Sequence, residues 1–93
     1  MKFKGTPGPW SVEGFWVESD CRYIAEVHDF REECEIFKPV HPESAANANL
    51  IAAAPELLEA LQAVLFDVMA NRAAINDDRI EEIRAAISKA LGQ

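Results

Sequence analysis

The chain has 93 residues, about half of them hydrophobic, and sixteen acidic residues against nine basic ones give a net charge of −7. That length suits one domain, and the composition is globular rather than disordered. The acidic balance argues against direct nucleic-acid binding, because holding a phosphate backbone takes a surplus of Lys and Arg. Cys21 and Cys34 form no CxxC pair, so neither a disulfide framework nor a zinc pattern is implied. No stretch resembles a secretory signal, and none approaches the ~20 apolar residues of a membrane span. A reduced, cytoplasmic protein is expected.

The first third reads as strands. "TPGPW", residues 6–10, is stiff, and Trp10 opens the first packed segment. Trp10 and Val12 share one face. After Gly14, Phe15 and Val17 share a face, which calls for a tight hairpin or a bulge at the glycine. Ser19-Asp20 signals a second turn. In "CRYIAEV", Tyr23, Ala25 and Val27 alternate with Arg22 and Glu26, and Ile24 falls on the polar side. A three-stranded antiparallel meander over 10–27 follows.

Residues 28–43 are irregular, acidic and interrupted by Pro39 and Pro42. "EIFK" offers a short edge strand, and the prolines oppose regular structure beyond it. The segment reads as a loop, the usual place for specific contacts.

Two helices fill the rest, over 44–71 and 77–91. In the first, Leu50, Leu57, Leu58, Leu61 and Leu65 lie within an arc of about 120–140°. Small residues, among them Ala53, Ala60 and Ala63, form a separate strip suited to close approach of another helix. Pro55 sits inside this run, yet the apolar phase continues across it. One helix kinked at Pro55 is therefore expected, since proline removes a donor and displaces the carbonyl four residues back. The second helix carries a narrower stripe of Ile80, Ile83 and Ile87. Asn76, Asp77 and Asp78 stand at its start, and Lys89 and Gly92 at its end. The expected architecture is an α+β domain, 1–93, in which the meander packs on a helical hairpin. Its core comprises Trp10, Val12, Leu50, Leu57, Leu58, Leu61, Leu65, Ile80, Ile83 and Ile87.

No nucleotide-binding, metalloprotease or serine-hydrolase motif is present. His28, Asp29, Glu32, Glu33, Cys34 and His41 have ligand chemistry, but their spacings match no recognised metal site, so no metal or other cofactor is expected. A nucleophilic pair of Cys34 with His28 or His41 lacks an orienting motif. The chain is expected not to be an enzyme.

"TPGPW" together with "NANLIAAAPELLEAL", residues 47–61, resembles small phage and prophage accessory proteins of the ead-type early region. The resemblance implies a setting rather than an activity: small early phage proteins often bind host proteins, block defence systems or capture nucleotide signals. The leading expectation is a noncatalytic accessory protein acting by protein–protein contact in the host cytoplasm, with a homo-oligomer expected. The interaction surface is placed at Asp29, Arg31, Glu32, Glu33 and Glu35 of the loop and at Ala53, Ala60 and Ala63. Two rival readings are kept. One is sequestration of a signalling nucleotide, with phosphate contacts from Arg22, Arg31, Lys38, Arg72, Arg79 and Arg84. The other is acidic mimicry of nucleic acid.

Overall fold

The computed structural model describes residues 2–20, 22–71 and 74–92. Three short strands, β1 (Ser11–Glu13), β2 (Trp16–Ser19) and β3 (Arg22–Glu26), form an antiparallel sheet in the order β1-β2-β3. A 3₁₀ turn at Glu33–Glu35 precedes three helices, α1 (Pro42–Ala52), α2 (Ala54–Met69) and α3 (Asp77–Ala90). The fold class is α+β, as expected. The chain divides into two compact units, Thr6–Pro55 and Glu56–Gln93, the latter joined by Met1–Gly5. The helical region expected from residue 44 is thus shared: α1 groups with the sheet, and α2 and α3 form the other unit.

In the sheet unit, Glu13 pairs with Trp16, leaving a two-residue hairpin loop at Gly14 and Phe15. Gly14 takes φ 62°, which a residue without a Cβ adopts freely and which two-residue loops require. Asp20 opens the second turn at φ 51°. Cys21 lies outside the described residues. The expected irregularity at Gly14 is therefore a hairpin, and the bulge falls elsewhere. Val17 pairs with Ala25 but Glu18 pairs with Tyr23, so Ile24 is an extra residue on β3. The bulge breaks strict alternation. Ile24 and Ala25 both pack on the core, whereas Tyr23, expected on the apolar side, is exposed.

The core of this unit is Val17, Val27, Ala48 and Ala52, flanked by Trp10, Val12, Phe15, Ile24 and Ala25. Helix α1 packs on β1 and β2 through Ser44, Ala48 and Ala52, spaced four apart on one face. Small side chains suffice because the sheet brings the bulk. Leu50, placed in the core on sequence grounds, instead points away and is 66% exposed. The indole Nε1–H of Trp10 donates to the Thr6 carbonyl at 3.1 Å, closing the "TPGPW" segment, whose Gly8–Pro9 bond is cis.

Helix α1 begins earlier than the prolines suggested. Pro42 occupies its first turn, where a missing amide costs nothing, and the His41 Nδ1 accepts from the Glu43 amide at 3.2 Å as the cap. At the other end the Ala53 amide still donates to the Asn49 carbonyl at 3.1 Å, and the helix is interrupted at this residue, two before Pro55. Pro55 has no amide to offer the Ile51 carbonyl. Ala53 nonetheless keeps right-handed helical angles, φ −82° and ψ −5°, and Pro55 falls in the first turn of α2. The proline therefore ends one helix and starts the next without a loop between them.

In the helical unit, Leu58 is buried and Leu61, Leu65 and Val68 are half-buried, a seam at spacings of three and four. On α3 Ile87 is buried, with Ile80 and Ile83 half-buried, and Ile87 lines a cleft with Leu65 and Phe66 of α2. Leu57 lies at the edge of the α2 seam, about 60° from its centre, and is 49% exposed, a second departure from the expected core. Asn76 Oδ1 accepts from the Arg79 amide at 2.9 Å, Lys89 lies in the last turn, and Gly92 takes φ 77°, so α3 begins and ends where its capping residues indicate.

Two variants test this arrangement. Trp10→Ala is expected to cost about 3 kcal/mol in urea unfolding, and Trp10→Phe, which loses the indole donor and one of the two fused rings, about 1–2 kcal/mol. Pro55→Ala restores a donor to the Ile51 carbonyl. The new amide at position 55 should exchange slowly with solvent by NMR, and exchange at the free-peptide rate would refute this account of the break.

Candidate functional site

The segment linking β3 to α1 has well-defined attachments at both ends. The Val27 amide donates to the Phe15 carbonyl at 2.8 Å, which fixes the exit from the sheet. At the far side Ser44, 0% exposed, donates its hydroxyl to the His28 carbonyl at 2.8 Å and accepts from the Phe30 amide at 3.1 Å. One buried hydroxyl thereby satisfies two backbone groups of the loop. His28 and Phe30 meet edge to face at 4.7 Å, and Phe30 meets His41 at 5.9 Å.

Arg31 organises the middle. Its Nε contacts both Asp29 oxygens, at 3.0 and 3.1 Å, and its Nη2 lies 2.8 Å from Oδ2. The other terminal nitrogen, Nη1, donates to the Ile36 carbonyl at 3.1 Å and to the Lys38 carbonyl. The guanidinium also lies 5.9 Å from the centre of the Phe15 ring. Only the planar five-donor fork of arginine makes this set of contacts. The two carbonyls it holds flank Phe37. A smaller clasp supports the turn: the Glu32 amide donates to Glu35 Oε1 at 3.2 Å, and Lys38 Nζ lies 2.9 Å from Glu35 Oε2. Where "EIFK" suggested a strand, the 3₁₀ helix ends at Glu35 and the chain turns through 36–38.

The electrostatics follow from these contacts. The Arg31 hydrogen bond holds the Asp29 carboxyl below its ordinary range, and Asp29 raises the Arg31 guanidinium in turn. The Lys38 hydrogen bond lowers Glu35.

The candidate residues therefore divide. Asp29, Arg31 and Glu35 hold the loop together, whereas Glu32 and Glu33 are exposed on it. Ala53 sits at the helix break, and Ala60 and Ala63 are exposed on α2. Among the described residues no three His, Cys, Asp or Glu side chains converge as metal ligands. Cys34 is a free, exposed thiol. Of the residues assigned to phosphate, Arg79 pairs with Glu82 at 2.7 Å and Lys38 with Glu35. Arg22 lines a cleft of about 430 Å³ beside Asp20, with Thr6, Pro7, Gly8 and Ser19, and Arg72 lies outside the described residues.

Sequence reasoning missed Ile36 and Phe37. They are 68% and 81% exposed, on the segment that Arg31 clasps from both sides. Their signal was two adjacent large apolar residues inside a charged, proline-bounded segment.

No curated protein and no solved structure matches the chain. A family match runs over residues 1–93. The chain belongs to the family described as Salmonella phage P22 protein Y8K6. This phage family membership agrees with the setting implied by "TPGPW" and the residue 47–61 motif.

Arg31→Ala is expected to free the Ile36 and Lys38 carbonyls. Losing these bonds loosens the segment around Phe37, so cleavage after it by chymotrypsin should accelerate about tenfold or more. Arg31→Lys should not restore resistance, since a point charge cannot replace the fork. The loop's dependence on pH follows from two lowered carboxyls. Each contributes stability that is present at neutral pH and lost as pH falls through its depressed folded value. The Arg31 Nε–H chemical shift in NMR should hold through the ordinary carboxylate range and move toward its unpaired position only at lower pH.

Proposed function

We propose that the chain is a noncatalytic phage accessory protein that acts by protein–protein contact in the host cytoplasm, in keeping with the early-region proteins its motifs resemble. The observation that carries this is exposed apolar surface: among the described residues, eleven large hydrophobic side chains are at least 36% exposed. Scattered single residues need no explanation, but clustered apolar exposure marks contact surfaces. Both units contribute. The loop offers Ile36 and Phe37, and α2 offers Leu57, Ala60 and Val64 at the three- and four-residue spacing of a helix-pairing seam, which supports self-association. The polar side chains with catalytic or phosphate-binding chemistry are largely engaged elsewhere: Asp29, Arg31, Glu35 and Lys38 brace the loop, and His41 caps α1. That favours contact over chemistry and weakens the nucleotide reading.

Native mass spectrometry of the protein as purified from bacterial cells tests the proposal. A defined homo-oligomer or a protein complex without a small-molecule adduct is expected. A bound nucleotide absorbing near 260 nm would replace it with the sequestration reading, and a bare monomer would overturn self-association.

A further inference from the structure

Most of the loop between β3 and α1 is committed to holding itself in shape, yet it presents two large apolar side chains to solvent. We propose that Ile36 and Phe37 form an insertion knob for an apolar pocket with a basic rim on a different protein, with Arg31 as its positioning residue. This rests on the protein-contact reading above and adds the contacting element and the chemistry of the partner.

Three observations converge. First, Phe37 is the most exposed of the large hydrophobic side chains described, and Ile36 beside it is nearly as open. Second, the segment is held before any partner arrives. Arg31 binds the carbonyls on either side of Phe37, Asp29 fixes Arg31, and Ser44 ties the loop base to α1. Binding by a prearranged segment avoids much of the entropy cost of ordering a loop. Aromatic side chains entering a desolvated pocket are the usual centres of binding energy.

Third, the surroundings are acidic. The unit Thr6–Pro55 holds nine of the sixteen acidic residues but three of the nine basic ones, and two of those three, Arg31 and Lys38, are paired with carboxylates. Glu32 and Glu33 are exposed just before the knob. Like charge opposes a second copy of this acidic surface. A pocket rimmed by Lys or Arg complements it and is steered toward it.

The test places the photoreactive residue benzoylphenylalanine at position 37, and separately at the exposed aromatic position 23 and at position 57, in the full chain made in bacterial cells. Irradiation followed by mass spectrometry identifies the adduct. The identified protein is then purified and titrated calorimetrically at low and high salt with the native chain, Phe37→Ala and Tyr23→Ala. The expected result is an adduct at position 37 with another protein and affinity that falls with salt. Phe37→Ala should weaken binding at least about thirtyfold, and Tyr23→Ala should change it less than about threefold. Phe37 is exposed, so its variant should melt with the native chain, separating lost contact from lost fold. An adduct of position 37 with a second copy, or with α2 or α3 of the same chain, would overturn the proposal. If the partner binds Phe37→Ala as well as the native chain, the knob is wrong and the protein-contact reading stands. If no position yields a protein adduct, both fall.

Discussion

Pro55 contributes a constraint rather than a contact: it lacks the one amide that would carry the helical ladder from α1 into α2. The Ile51 carbonyl goes without its regular partner, the ladder breaks at Ala53, and the division between the two units falls at the same place. Because Ala53 stays in the helical region, the apolar phase is nearly preserved across the break, which is why the sequence reads as continuous. Buried proline in a first turn then serves α2 as a start. A single residue thus lets α1 pack on the sheet as part of one unit while α2 packs its own seam in another.

The face that α1 buries shows what that separation permits. Ser44, Ala48 and Ala52 carry little apolar volume, and a helix relying on them alone would gain little from burial. The sheet supplies what they lack, through Val17, Val27 and the ring of Trp10. Small residues let the helix backbone come close, and closeness puts the Ser44 hydroxyl within reach of His28 and Phe30. A leucine in place of Ser44 would add apolar area but leave two loop backbone groups without partners. The packing of the core and the anchoring of the loop are therefore one arrangement.

Local signals were legible where one residue's backbone chemistry decides the outcome. Gly14 marked a hairpin or a bulge, of which the structure has the hairpin, Asn76 and Gly92 marked the ends of α3, and the period of Ile80, Ile83 and Ile87 marked its buried side. Legibility failed where a distant partner decides. Leu50 looked like core because leucine outweighs alanine in any apolar count, but the sheet needed a thin helix face. Ile24 broke the alternation of β3, and nothing nearby in the sequence says that a bulge would turn it inward. Pro42 reads as a barrier to structure, although proline is favoured in a first helical turn. In the loop, charge drew attention to Asp29, Arg31 and Glu35 as a surface, and their hydrogen bonds turn out to be directed at one another and at the backbone.

That last reversal bears on how an acidic loop acts. A charged side chain in water gains little by pairing at the surface, so charge alone would leave residues 28–41 loosely ordered. Arg31 escapes this limit because its donors reach backbone carbonyls as well as a carboxylate, and because the Phe15 ring covers one side of it. Electrostatics here is spent on geometry. What the geometry delivers to solvent is apolar: Ile36 and Phe37, held between two clasped carbonyls. A free protein gains nothing from exposing them, since about 25 cal/mol per Å² of apolar area is recovered only on burial. The unspent free energy of the loop therefore lies in its two uncharged side chains, and the charges around them set which surface is electrostatically admitted to claim it.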